Sequence, residues 1–138
     1  MKTINHECYV SPEVAKLLEQ AGFDWEEHYP RNFCYVNDNT ELFDKSVLKN
    51  YIGEDDIIYL APTLDVAQRW LREVKDIDVY IFPTTNNKRG CVYEWGIKTF
   101  GRALWVEGQP YTNQYETYEE AQGAGIKKAL EIILQNGK

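Results

Sequence analysis

The chain has no apolar run approaching the ~20 residues that a membrane-spanning helix needs. No association with a membrane is therefore expected. Residues 1–7 lack the apolar core of a secretory leader. Its three cysteines, Cys8, Cys34 and Cys91, are odd in number and scattered, which does not make a disulfide framework. Together these absences predict a cytoplasmic protein with reduced thiols. There is no Gly-x-Ser-x-Gly nucleophile elbow, no phosphate-binding loop and no Gly-x-Gly-x-x-Gly turn. No enzyme class declares itself, and no cofactor is expected.

Positive charge is also scarce, and unevenly so. Of the net −7, all falls in residues 1–60, which hold twelve Asp/Glu against five Lys/Arg. Residues 61–138 hold ten of each. An acidic surface repels phosphate backbones, so nucleic-acid binding is disfavoured. The acidic part either keeps the protein solvated or meets a basic partner.

What is present fits one domain over residues 1–138. A chain of this length buries roughly 68–70% of its unfolded surface, enough for a core without disulfide or metal. Hydrophobic residues at 43% and charged residues at 27% are ordinary for a folded protein. Aromatics stand out at 14%, with ten Tyr, five Phe and four Trp. They can fill a core with Tyr hydroxyls reaching water, or they can form a recognition surface, where Tyr and Trp are over-represented.

Three helices announce themselves through their ends. Ser11 is an N-cap residue followed by Pro12 at the first helical position, and Val14, Leu17, Leu18 and Ala21 form an apolar stripe that Gly22 stops. This predicts a helix over 12–21. Thr63 caps a second helix with Val66, Ala67, Trp70, Leu71 and Val74 on its buried side, ending near 75–76. Thr117 and Glu120 have capping-box spacing at the start of the last helix. There Gly125, with Ala121 and Ala129 one turn away on each side, makes a ridge of small residues suited to close packing.

Strands are expected between the second and last helices. Residues 77–82 alternate, placing Ile77, Val79 and Ile81 on one face and Tyr80 and Phe82 on the other. Pro83 is read as the end of this strand and 84–90 as a loop. Residues 91–98 return, with a possible third strand over 103–107. The segment 23–60 gives weaker signals: a short strand over 33–36, a turn at Asn37-Asp38-Asn39, and one or two helical turns within 44–51. The expected architecture is α+β: a helix, an antiparallel sheet of two or three strands, and a helix over 61–138. An N-terminal helical extension over 1–60 packs on this core, and the Tyr80/Phe82 face is covered by that part, which is the default expectation, by a partner, or by nothing.

Candidate chemistry is sparse. His6, Cys8, His28 and Cys34 are possible zinc ligands, but their spacing is atypical of Cys-x-x-Cys or His-x-x-x-His sites. Cys34 and His28 lack any local feature that activates a thiol. The acidic pairs and triplets Glu26-Glu27 and Glu54-Asp55-Asp56 lie in polar segments, not in the contrasting environments that acid–base catalysis needs. The order of elements resembles the double-stranded-RNA-binding fold and small antitoxin-like proteins. That RNA-binding fold grips phosphates through a basic helix start, whereas here the last helix opens with Glu119-Glu120.

Two stretches carry a further resemblance: Val10-Ser11-Pro12-Glu13-Val14-Ala15-Lys16-Leu17-Leu18-Glu19-Gln20-Ala21-Gly22-Phe23-Asp24, and Ala61-Pro62-Thr63-Leu64-Asp65-Val66-Ala67-Gln68-Arg69-Trp70-Leu71-Arg72-Glu73-Val74. With the closing Tyr115-Glu116-Thr117-Tyr118-Glu119-Glu120-Ala121, they resemble a family of short uncharacterised proteins encoded by gut bacteria, many in prophages or other mobile elements. The resemblance implies no activity and no site residues. It implies the setting of a small accessory protein. The leading expectation is thus a non-enzymatic protein that binds another protein, with Tyr80, Phe82, Tyr111, Tyr115 and Tyr118 as candidate contacts. A nucleic-acid-binding module is the alternative, and a metal-binding protein the next.

Overall fold

The computed structural model describes residues 8–25, 33–48, 50–99, 105–107 and 114–136. In chain order the elements are α1 (Pro12–Ala21), β1 (Phe33–Val36), β2 (Phe43–Asp44), α2 (Lys45–Leu48), β3 (Ile58–Leu60), α3 (Leu64–Val74), β4 (Ile77–Asn86), β5 (Gly90–Thr99), β6 (Trp105–Glu107) and α4 (Tyr118–Asn136). The strands form two antiparallel three-stranded sheets, ordered β2-β1-β3 and β4-β5-β6. Helices and antiparallel sheets together make the α+β class that the sequence predicts. Among the described residues no helix is long and apolar enough to cross a membrane.

The helix starts are built from the expected caps. Ser11 Oγ accepts from the Val14 N–H at 3.2 Å, and Thr63 Oγ1 accepts from the Val66 N–H at 3.3 Å. Thr117 Oγ1 accepts from the Glu120 N–H and donates its own proton to the Glu120 carboxylate, both at 3.1 Å. Each hydroxyl satisfies a donor that the first helical turn would otherwise leave open. Gly22 closes α1 at φ +91°, a conformation that costs a glycine nothing.

β4 and β5 pair along their whole length, from Ile77 opposite Thr99 to Asn86 opposite Gly90. The strand therefore runs three residues past Pro83, where the sequence suggested a stop. The reason lies across the ladder. Tyr93, opposite Pro83, sends both its N–H and its carbonyl to Tyr115 at 2.8 Å each, away from β4. Pro83 and Tyr93 are thus a non-hydrogen-bonded pair, and the donor that proline lacks would have faced the outer edge. The turn that follows is shorter than expected. Asn86 Oδ1 closes it by accepting from the Lys88 and Arg89 N–H groups at 2.9 and 3.0 Å.

Both α3 and α4 lie on the face of β4–β5 that carries Val79 and Ile97. The small-residue ridge sets the distance. A Cβ placed on Gly125 would lie 2.7 Å from Val79 Cγ1 and 3.0 Å from Trp95 Cβ, so only glycine permits this approach. Ala121 and Ala129 are fully buried beside it.

The N-terminal part packs on the core through α1. It contains its own sheet, and among the described residues α1 packs on α4 and β3. Two restraints explain this. The Val10 N–H donates to the Pro62 carbonyl at 3.1 Å and Tyr9 bridges to Thr63, which holds residues 9–10 beside the start of α3. The stripe Val14, Leu18, Ala21 then finds its apolar partner on the side of α4 turned away from the sheet. One hydrophobic cluster runs from Val10, Leu18 and Phe23 through Trp70 to Val79, Ile97 and Leu130.

Candidate binding surfaces

Of the aromatics singled out from the sequence, Tyr80 and Phe82 stack at 5.9 Å between ring centroids, on the sheet face away from both helices. Both are half-buried. The Tyr80 ring lies over Gly96, in space that a side chain on residue 96 would occupy. Tyr115 is half-buried against the core, and Tyr118 meets the Tyr93 ring edge-on at 6.0 Å. Tyr93 shares its face with Trp95 and Ile97. The structure thus brings Tyr80 to Phe82, and Tyr115 and Tyr118 to Tyr93, on opposite sides of the sheet. Tyr111 lies outside the described residues.

Among the metal candidates, His6 and His28 lie outside the described residues. Cys8 is exposed near α3, and Cys34 is fully buried in β1. Among the described residues no group of three or more His, Cys, Asp or Glu could hold a metal ion.

A surface that sequence patterning did not single out is the excursion over residues 37–57. It starts where Asn37 takes φ +54°. The Asn37 N–H donates to the Ile57 carbonyl at 2.8 Å, and its Oδ1 accepts from the Ile57 N–H at 2.9 Å. Its amide also donates to Asp56 Oδ1 at 2.9 Å, while Asp56 Oδ2 accepts from the Gly53 N–H at 2.9 Å. Those two bonds hold the Asp56 carboxyl below its ordinary value. Asp38, 2.7 Å from Lys16, is held low by that ammonium. These bonds fix both ends of the excursion. Val47 and Tyr51 between them, and Ile57 at the closing end, stand 61%, 79% and 54% exposed. The surroundings are acidic: residues 38–57 hold six carboxylates against two lysines. The signal available in the sequence was negative, since these apolar residues fit neither a helical nor an alternating pattern.

Sequence patterning also passed over Gln122, which is only 2% exposed. Its Nε2 donates to Asp65 Oδ1 and to Gln68 Oε1, each at 2.7 Å. Gln68 in turn donates to the Val79 carbonyl. This relay ties α4 to α3 and to the outer edge of β4. A glutamine set among Ala121, Gly123, Ala124 and Gly125 was the available clue.

Two neighbouring hollows open where the three helices begin. One, of about 390 Å³, is walled by Tyr9, Val14, Leu64, Gly123 and Ala124 and rimmed by polar side chains. The other, of about 370 Å³, lies beside Cys8, Asp65 and Gln122, and both share Leu64 and Glu119.

Comparison of the chain with protein-family models, curated proteins and solved structures finds no match.

Proposed function

We propose that the protein is a non-enzymatic accessory protein that acts by binding another protein, and that it does so through the acidic excursion over residues 37–57. The observation that carries this reading is the exposure of Val47, Tyr51 and Ile57 within one short segment. Large apolar side chains exposed together and rimmed by polar groups mark interaction sites, and tyrosine is a frequent anchor. The carboxylates around them would steer a basic partner and reject acidic ones. The bonds from Asn37 and Asp56 hold the segment in place before binding, which lowers the entropy lost on association.

The sheet edges favour contact through side chains over strand addition. The outward groups of β4 fall at Val79, Ile81, Pro83 and Thr85. Gln68 occupies the Val79 carbonyl, and Pro83 has no N–H, so a peptide laid along β4 finds an interrupted ladder. β2, at the edge of the other sheet, is two residues long. The resemblance to short proteins of prophages and mobile elements fits a cytoplasmic accessory role.

The test is a tagged pull-down from the native host at native expression, with the wild-type chain and a Val47→Ser/Tyr51→Ser variant. A stoichiometric basic protein retained by the wild type and lost by the variant is the expected result. A partner held equally by both would move the contact elsewhere. Recovery of bare protein, or of nucleic acid that salt removes, would overturn the reading.

A further inference from the structure

We propose that the groove between α1, α3 and the first turns of α4 is a binding site for a small organic cation, a primary ammonium carried on an apolar body. This site is separate from the excursion and does not depend on the reading above.

Size and lining come first. At about 390 Å³ the groove falls within the range of small-ligand sites, roughly 300–1,000 Å³. Val14, Leu64 and Ala124 supply apolar wall. Gly123 keeps the floor open, because a Cβ there would meet only Leu64 Cδ2, at 3.8 Å.

Charge then chooses the ligand. Helix N-termini ordinarily attract anions through open N–H groups and the helix dipole. Here each cap takes one of those donors itself: Ser11 for Val14, Thr63 for Val66 and Thr117 for Glu120. Each first turn also brings its own carboxylate: Glu13 on α1, Asp65 on α3, and Glu119 with Glu120 on α4. The lysine of the lining, Lys127, is spent on Glu13 at 3.1 Å. Asp65 and Glu120 already accept hydrogen bonds from Gln122 and Thr117. Glu119 lines both hollows and makes no ion pair among the described residues. An anion would meet the carboxylates of Glu119 and Glu120 at the rim. An ammonium beside Glu119, with its apolar body against Val14 and Leu64, satisfies both parts of the lining.

The experiment is an amide-resolved NMR titration of the full chain with phenethylamine, and with phenylacetate and 2-phenylethanol as anionic and neutral counterparts. The expected result is saturable shifts at Ser11, Glu13, Val14 and residues 117–124 with phenethylamine, and weaker binding of the other two. Glu119→Gln should weaken phenethylamine by about fivefold, the scale of a partly exposed ion pair, while leaving the alcohol unchanged. Gly123→Leu should fill the groove and abolish the shifts, its own spectrum confirming that it folds. Phenylacetate or the alcohol binding as tightly as the amine would overturn the proposal. So would the absence of saturable shifts at these amides, or binding that neither variant alters.

Discussion

Two glycines of α4, two residues apart, should respond differently to the same substitution. Gly→Ala within a helix is worth about 1 kcal/mol in favour of alanine from propensity alone. At Gly123 the new methyl would find Leu64 Cδ2 at 3.8 Å, an ordinary contact, so the full gain should appear. At Gly125 it would stand 2.7 Å from Val79 Cγ1 and 3.0 Å from Trp95 Cβ. Carbon atoms pack at about 3.5–4.0 Å, so the helix must lift or Val79 must leave its rotamer. Val79 is fully buried and branched at Cβ, which leaves it little freedom. Forcing a methyl into a packed core costs about 1–3 kcal/mol. Gly123→Ala should therefore be about 1 kcal/mol more stable than wild type. Gly125→Ala should be lower than Gly123→Ala by the overpacking cost, about 1–3 kcal/mol.

Urea unfolding, followed by circular dichroism and by tryptophan fluorescence, measures both. The slope with urea should not change, because neither variant alters the surface exposed on unfolding. Thermal midpoints should separate by about 3–10 °C for a chain of this size. The comparison cancels intrinsic propensity, which is the same at both sites. If the two variants agree within about 0.5 kcal/mol, a spread expected of sites away from packing constraints, then α4 does not seat on β4–β5 through Gly125.

Three further outcomes follow from the polar groups. Gln122→Leu removes two donated hydrogen bonds from a buried site and should cost about 1–3 kcal/mol. Combined with Gln68→Leu it should be non-additive by more than about 0.5 kcal/mol in a double-mutant cycle, and additivity would refute the relay. Asp38 and Asp56 both have lowered folded values, so their contribution is full above the ordinary 3.8 and is lost as pH falls below it. An Asp38→Asn/Asp56→Asn variant should show a flatter loss of urea midpoint below that pH, and an unchanged acid limb would count against the Asn37–Asp56 clasp. Burial pushes the Tyr35 hydroxyl up to about 12, so its contribution is present below the ordinary 10 and lost as pH rises through the folded value. An ultraviolet titration should find one phenolate appearing only near that value. Tyr35→Phe should remove it and cost about 1 kcal/mol for the bond to the Val10 carbonyl.

What could be read from the sequence was what depends on near neighbours. The caps at Ser11, Thr63 and Thr117 each bond to a backbone group three residues on, so residue type and spacing carried the information. The faces of β4 followed from alternation. Pro83 misled because its tolerance depends on a pairing between Tyr93 and Tyr115, which no local pattern encodes. β1 formed where the sequence suggested a short strand, over 33–36, whereas β2 and β3 have two and three residues, too few to show a period. The position of the N-terminal part was equally hidden. An apolar stripe states that a partner exists but not which face supplies it, and here α4 supplies it. Within the excursion over residues 37–57 the turn at Asn37-Asp38 and the helical turn of α2 were legible, but its exposed surface was not, for a related reason. Its exposed apolar residues obey no folding pattern because burial within this chain does not place them.

That same independence makes the excursion a separable surface. α1 joins the body mainly through buried Val14, Leu18 and Ala21, since the Glu13–Lys127 pair is exposed on both sides and worth little. The excursion is tied in turn by hydrogen bonds among Asn37, Gly53, Asp56 and Ile57, none of which uses the side chains of Val47, Tyr51 or Ile57. Replacing those three side chains with polar ones should shift stability by no more than about 0.5 kcal/mol. A loss of partner binding in such variants then reports the contact itself, because the body that presents it is unchanged. The converse also holds. Gly125→Ala acts far along the chain on the α4–sheet seam, so it should be less stable than Gly123→Ala while leaving partner binding intact.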